Sequence, residues 1–181
     1  GSKYQGKLLG SFGQAGCFSF SANKTITTGQ GGMIATNEKA LYYRLLELKD
    51  QGRRFRGTGG NDLHPILGFN FKFTNLQAAV GLAQWKKLKS RLKQANRRER
   101  WYRKNLKNCP GLRFPEWNAG EILQWTDVLI EDRHKVEKAL NKAHIGFRPF
   151  WYPLHTQDPY KQKDGKFPIA TKISQQALWL P

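Results

Sequence analysis

Residues 15–36 constrain this chain more than any other stretch. Cys17–Phe20 is apolar and aromatic, Gly32–Ala35 is short and apolar, and a polar loop separates them, so the segment reads as strand, loop, strand. Lys24 stands inside that loop. Ser19 and Ser21 precede it, Thr25, Thr27 and Thr28 follow it, and Gly29-Gln-Gly-Gly32 closes the run. Glycines let a backbone approach a ligand closely, and hydroxyls with exposed amides suit a phosphate. A lysine desolvated in an apolar pocket or set beside a cation becomes a usable amine nucleophile and proton shuttle. Such a lysine can hold an aldehyde cofactor as a Schiff base.

The bulk composition permits an enzyme and removes some alternatives. With 181 residues, 39% of them hydrophobic, the chain can bury a core and fits one domain, or one and a piece. No apolar stretch approaches the roughly 18 residues of a membrane helix, and the start lacks a basic then apolar leader. Cys17 and Cys109 lie far apart and suggest neither a disulfide framework nor a zinc site. The expected setting is therefore reduced and cytoplasmic, with no metal.

A net charge of +18 points first to nucleic acid or another polyanion. Its distribution weakens that inference. Lys86–Lys107 holds eleven lysines and arginines against one acid, Glu99, so more than half of the excess sits on one segment. The same segment belongs to a long helix expected from about Thr74, a candidate N-cap, to Asn108. Trp85, Leu88, Leu92, Ala95, Tyr102 and Leu106 recur at spacings of three and four, with Glu99 in the slot between. The basic residues cover the other faces, which reads as a solvated surface on a packed helix. Neither a helix-turn-helix partner nor an RNA-binding aromatic signature accompanies it.

Elsewhere, residues 38–51 read as a helix with Leu41, Leu45 and Leu48 on one face and Gly52 as its stop. Arg53–Asn70 reads as a long functional loop. Beyond the break at Cys109-Pro-Gly-Leu112, Leu123–Ile130 suits a strand, Asp132–His144 a helix capped by Asp132, and Ile145–Tyr152 a further strand. Gly1–Leu8 formally fits part of a phosphate-binding P-loop, but Leu8 stands where a hydroxyl must hold the metal, so that reading is rejected. Neither a His-Glu-x-x-His pair nor a serine nucleophile elbow is present.

The Lys24 segment resembles the cofactor-lysine signature of the pyridoxal-phosphate sugar aminotransferases, the DegT/DnrJ/EryC1/StrS family. That signature carries a Phe-Ser-Phe run, a lysine, and Thr-x-Gly-Glu-Gly-Gly, with Gln30 here in place of the glutamate. Leu67–Gln84 is similar to the family's Gly-Tyr-Asn-Tyr-Arg segment and following helix, and Arg148–His155 with Gln157–Tyr160 extends the likeness. Three motifs in order cover essentially the whole chain. The resemblance implies an α/β protein of fold type I. Residues 1–108 would be the C-terminal part of a mostly parallel-sheet, cofactor-binding large domain, including a long interdomain helix. Residues 109–181 would be part of a small α+β domain.

By position, the resemblance implies that Lys24 carries pyridoxal 5′-phosphate as a Schiff base and shuttles the proton of the 1,3-shift. Ser19 would contact the cofactor phosphate. Asn70 would reach the phosphate of the neighbouring subunit's cofactor, giving a homodimer with shared sites. Lys72 stands where the family has arginine and receives no role. His64 and His155 would be substrate-side groups, although both adjoin prolines in loops, where hydrogen-bonded packing serves equally well. The implied reaction transfers an amino group from glutamate to a keto group on a nucleotide-linked deoxysugar.

Such chemistry needs an acid against the cofactor's ring nitrogen, and this chain has no carboxylate before Glu38. The expectation is therefore the later half of such an enzyme, truncated at both ends, with the 181 residues inactive alone. Two other readings stay open. Related sugar dehydratases replace the lysine with histidine, against which Lys24 argues. A basic nucleic-acid module would bind polyanions with a steep salt dependence.

Overall fold

The computed structural model describes residues 1–54 and 62–181, so the middle of the expected Arg53–Asn70 loop lies outside the described residues. The chain divides into two compact units, residues 1–92 with 119–121 and residues 93–118 with 122–181.

In the first unit, β1 (Lys3–Tyr4) and β2 (Lys7–Leu8) form a hairpin. Its two turn residues, Gln5 and Gly6, both have positive φ, 48° and 79°, the geometry whose twist matches paired strands. The P-loop look-alike is thus a hairpin. β3 (Gly16–Ser19) pairs antiparallel with β4 (Gly32–Ala35), and Ser19 faces Gly32. The twelve residues between them hold turns and no helix, so the chain doubles back instead of crossing over. Every strand pair among the described residues is antiparallel, which departs from the parallel sheet that the resemblance implied.

Helix α1 (Lys39–Lys49) ends where Gly52 donates its amide to the Glu47 carbonyl at 2.8 Å, with Gln51 and Gly52 both at positive φ. The expected stop at Gly52 therefore takes two left-handed residues. A Cβ on Gly68 would overlap the Gly52 amide, and one on Gly52 the Ile66 carbonyl, so both glycines are required by close backbone approach.

The single long helix expected from Thr74 is two, α2 (Asn75–Lys86) and α3 (Leu88–Leu106). At Lys87 the ladder tightens, its amide turning to the Gln84 and Trp85 carbonyls. No proline or glycine marks the site. Thr74 is the N-cap, in a full capping box with Gln77. Leu88, Leu92, Ala95, Tyr102 and Leu106 are half-buried and Glu99 is buried, while Trp85 stays exposed.

The second unit holds β5 (Leu112–Arg113), β6 (Thr126–Ile130), α4 (Arg133–Lys142), β7 (Arg148–Pro149), α5 (Pro168–Gln176) and β8 (Ala177–Leu180). The sheet order is β5-β6-β8-β7. Thr126, Val128 and Ile130 point to one side of β6 and are buried, as the period of two requires. Val128, Ile130 and Leu178 form the core, flanked by Phe114, Val136, Leu140 and Phe147. Asp132 caps α4 as expected, accepting from the Lys135 amide at 3.1 Å. Among the described residues, every buried apolar side chain lies in this unit.

Glu99 is 1% exposed, and Arg103 donates to its Oε1 at 2.7 Å. Arg103 also reaches the Pro115 carbonyl and stacks over Phe114. Arg98 donates to the Gln124 carbonyl, and Tyr102 to that of Pro181. Several groups on this basic helix thus serve packing. Burial pushes the Asp127 carboxyl up from its ordinary pKa, the Glu99 charge adds to the rise, and the Trp179 indole opposes it.

A carboxyl whose pKa is higher in the folded protein than in the unfolded chain is bound to its proton more tightly when folded. Its stabilising contribution is present in acid and is lost as pH rises through the elevated pKa. Asp127→Asn is expected to raise the thermal unfolding midpoint at neutral pH and leave it unchanged where Asp127 is protonated. A neutral-pH midpoint at or below wild type would contradict this account.

Candidate active site

β3 delivers its last residue, Ser19, directly into the loop that holds Lys24. Extended backbone at the strand end keeps alternate residues on one side, so Ser19 and Ser21 come together, their Oγ atoms 3.1 Å apart. The Ser21 hydroxyl donates onward to Asn23 Oδ1 at 3.3 Å. A chain of hydroxyl and amide groups therefore runs from the strand end to the residue before Lys24. Ser19 is exposed and Lys24 half-buried.

The loop is folded back on itself. The Lys24 amide donates to the Ser21 carbonyl at 3.1 Å, the Thr28 amide to the Phe20 carbonyl at 3.0 Å, and Thr27 Oγ1 to the same carbonyl. Thr27 Oγ1 also accepts from the Gly29 amide at 2.9 Å. Thr28, only 8% exposed, donates to the Gln30 carbonyl. Two distant side chains anchor the same loop: Arg91 Nη1 donates to the Thr25 carbonyl at 2.7 Å, and Gln77 Nε2 to the Gln30 carbonyl at 2.9 Å. A cavity of about 410 Å³ opens beside it, lined by apolar groups that include Phe20, Met33, Phe73, Leu82 and Trp85.

Asn70 lies in a segment zipped to the end of α1. It forms an isolated antiparallel bridge with Asp50, flanked by bonds from Phe69 to Leu48, Gln51 to Phe69 and Phe71 to Lys49. Phe73, three residues on, meets Phe20 edge to face at 6.3 Å, which ties this segment to the Lys24 loop. Lys72, left without a role by the sequence, pairs with Asp50 at 2.8 Å, and Arg53 pairs with the same oxygen at 3.1 Å. The Lys72 hydrogen bond outweighs the opposing effect of burial and, with Arg53, holds the Asp50 carboxyl below its ordinary range.

The two histidines are placed differently. His64 is exposed and its Nδ1 lies 2.7 Å from the Gln51 carbonyl; a carbonyl only accepts, so this nitrogen carries the proton. His155, in the second unit, is 6% exposed, stacks on Phe167 and lies 3.2 Å from Thr171 Oγ1. Arg91, Gln77 and Asp50 escaped the sequence reading. The Thr74-x-x-Gln77 spacing announced Gln77, whereas nothing distinguished Arg91 from its basic neighbours.

Lys24 and its hydroxyls fit the anchoring end of an aldehyde cofactor bearing a phosphate. The chain has no carboxylate for that cofactor's ring nitrogen ahead of Glu38. Among the described residues, no cluster of metal-ligating side chains occurs, and no helix is long and apolar enough to cross a membrane.

The DegT/DnrJ/EryC1/StrS aminotransferase family model matches residues 1–181. The chain is 35% identical over 184 residues to GDP-perosamine synthase of Escherichia coli O157:H7, covering 100% of this chain and 50% of that protein. It is 35% identical over 162 residues to the putative pyridoxal phosphate-dependent aminotransferase EpsN of Bacillus subtilis, covering 87% of this chain and 41% of that one. The crystal structure of a DegT DnrJ EryC1 StrS aminotransferase from Brucella abortus superposes with a TM-score of 0.83 at 26% identity, over 95% of this chain and 46% of that one. The chain spans about half the length of the curated relatives it matches. It has a partial α/β fold of type I and belongs to the DegT/DnrJ/EryC1/StrS aminotransferase family, whose members depend on pyridoxal phosphate.

Proposed function

We propose that this chain supplies the cofactor lysine of an enzyme that transfers an amino group, from glutamate, to a keto group on a nucleotide-linked deoxysugar. The observation that carries the reading is the half-buried Lys24 at the end of the Ser19–Ser21–Asn23 relay, in a chain matched end to end by the family model. Relatives named for sugar-nucleotide chemistry, such as GDP-perosamine synthase, support the substrate class. The enzyme would work in the cytoplasm as a homodimer with shared sites.

Bound pyridoxal phosphate supplies an electron sink for the carbon that gains or loses the amino group. The chain's own residues do the rest. Lys24 Nζ would hold the cofactor covalently and, once displaced by the incoming amine, would move the proton at that carbon. The Ser19 hydroxyl would donate to the phosphate, and Asn70 would reach the phosphate bound to the partner subunit. The folded loop keeps the Lys24 backbone fixed while its long side chain moves between these tasks. His64 and His155 would serve on the substrate side. The acid for the ring nitrogen comes from outside these 181 residues, so the chain alone would not turn over substrate.

A nucleic-acid role rests only on net charge, and the inward turn of Arg91, Arg98 and Arg103 to backbone carbonyls counts against it.

Borohydride reduction of the cofactor-loaded protein, followed by peptide mapping, is expected to place the label on Lys24. Labelling confined to another lysine would sink the assignment. In an enzyme that contains this chain together with the ring-nitrogen acid, Lys24→Arg is expected to lower turnover by about 10²–10⁴-fold, the range of a lost proton-transfer group, with the assembly intact by light scattering. Ser19→Ala should weaken cofactor affinity about tenfold, as for one lost hydrogen bond to a charged group, read by absorbance titration. Unchanged affinity would remove Ser19 from the phosphate site.

A further inference from the structure

Eleven basic side chains crowd residues 86–107, and one of them does something local to Lys24. Arg91, in the first turn of α3, is half-buried and spans 66 residues of sequence to donate Nη1 to the Thr25 carbonyl at 2.7 Å. Thr25 is the residue after Lys24, so the guanidinium holds the Thr25–Ile26 peptide plane, one peptide beyond the lysine. At the far end of the same loop, Gln77 donates Nε2 to the Gln30 carbonyl, while its Oε1 accepts from the Thr74 amide and hydroxyl.

We infer that Arg91 is a positioning residue for Lys24, with Gln77 as the second anchor of the same loop. The loop needs such anchors. Its closing residues Gly29 and Gly31 sit at φ 79° and 150°, conformations open to glycine, and glycine loses the most freedom on ordering. Its own hydrogen bonds run back to Phe20 and Ser21, which are close in sequence. Arg91 and Gln77 add the restraints that come from other elements. Guanidinium stays charged at every working pH, so the Arg91 clamp does not titrate away, and its fork is preorganised for an acceptor. Holding the peptide next along from a flexible lysine limits where its Cα sits and so the region its Nζ can sweep, which is how an orienting group speeds a covalent step without touching it.

The inference rests on Lys24 being the cofactor anchor, and the test separates the two. Hydrogen exchange is measured on the 181-residue chain without cofactor. Arg91→Ala is expected to speed exchange at the Lys24 and Thr28 amides about tenfold, as for one lost charge-assisted bond, while amides inside α2 and α3 keep their protection. Arg91→Lys, which keeps a cation on a long stem, should restore most of it. Unchanged loop exchange in Arg91→Ala overturns the clamp. If the alanine variant loses helix protection as well, Arg91→Met, which keeps the aliphatic stem, decides the matter by the same loop amides. In the second arm, pyridoxal phosphate is added and capture on Lys24 is quenched with borohydride over time. Capture about tenfold slower in Arg91→Ala, at the same residue, is expected; equal rates in variant and wild type overturn the inference while leaving Lys24 as the anchor. Wild-type capture away from Lys24 overturns the proposed function instead, and the exchange result then stands on the loop alone.

Discussion

A helix begins with amides that nothing inside it can satisfy, and at Asn75 that deficit is met by Thr74, whose hydroxyl accepts from the Gln77 amide. In the usual capping box the third residue only returns the favour. Here Gln77 carries an amide, so its oxygen serves the cap while its nitrogen remains available. That nitrogen goes to the Gln30 carbonyl, 47 residues earlier. The contact that starts α2 therefore also fixes the end of the Lys24 loop. A glutamate at position 77 would complete the box equally well and leave the loop untied, since a carboxylate only accepts.

The first unit is organised by such polar ties. Asp50 receives Lys72 and Arg53 and bridges to Asn70, and Arg91 holds Thr25. Burial of apolar area, the main driving force in most folds, is concentrated in the second unit around Val128, Ile130 and Leu178. Directional contacts suit the task of the first unit. Hydrophobic packing is non-directional and sets where a segment lies, whereas a bond to one named carbonyl sets how a particular peptide faces. A lysine proposed to anchor a cofactor needs the second kind of control.

How much of this was legible depended on the range of the interaction. β4 falls where the short apolar run placed it, and Thr74 and Asp132 cap their helices, because those signals sit within a few residues. The approach of Gly52 to Gly68 and the pairing of Lys72 with Asp50 join elements whose nearness no local pattern encodes. The break at Lys87 carries no breaker residue, so periodicity runs through it unmarked. β8 escaped notice because Ala177–Leu180 is four residues at the end of the sequence, yet it is central in its sheet, between β6 and β7. At the candidate site, Lys24 and the hydroxyls around it stood out in the sequence, and the family resemblance singled out Ser19. The relay through Asn23 and the anchors from α2 and α3 required coordinates.

The charge of the chain shows why a bulk property misleads when it is read before geometry. Within the basic stretch, Arg91, Arg98 and Arg103 each turn to a specific carbonyl, and Arg103 also neutralises a glutamate that is almost wholly buried. A carboxylate taken out of water without a partner is costly, so Glu99 on the apolar stripe is tolerable only because a cation stands one turn away. The segment offers many cations, but of the positions one turn from Glu99 (Ala95, Asn96, Tyr102 and Arg103) only Arg103 carries one. Part of the excess charge that resembles a polyanion surface is in this way structural. Arginine suits this service better than lysine, since its planar fork keeps its charge and its direction when half-buried.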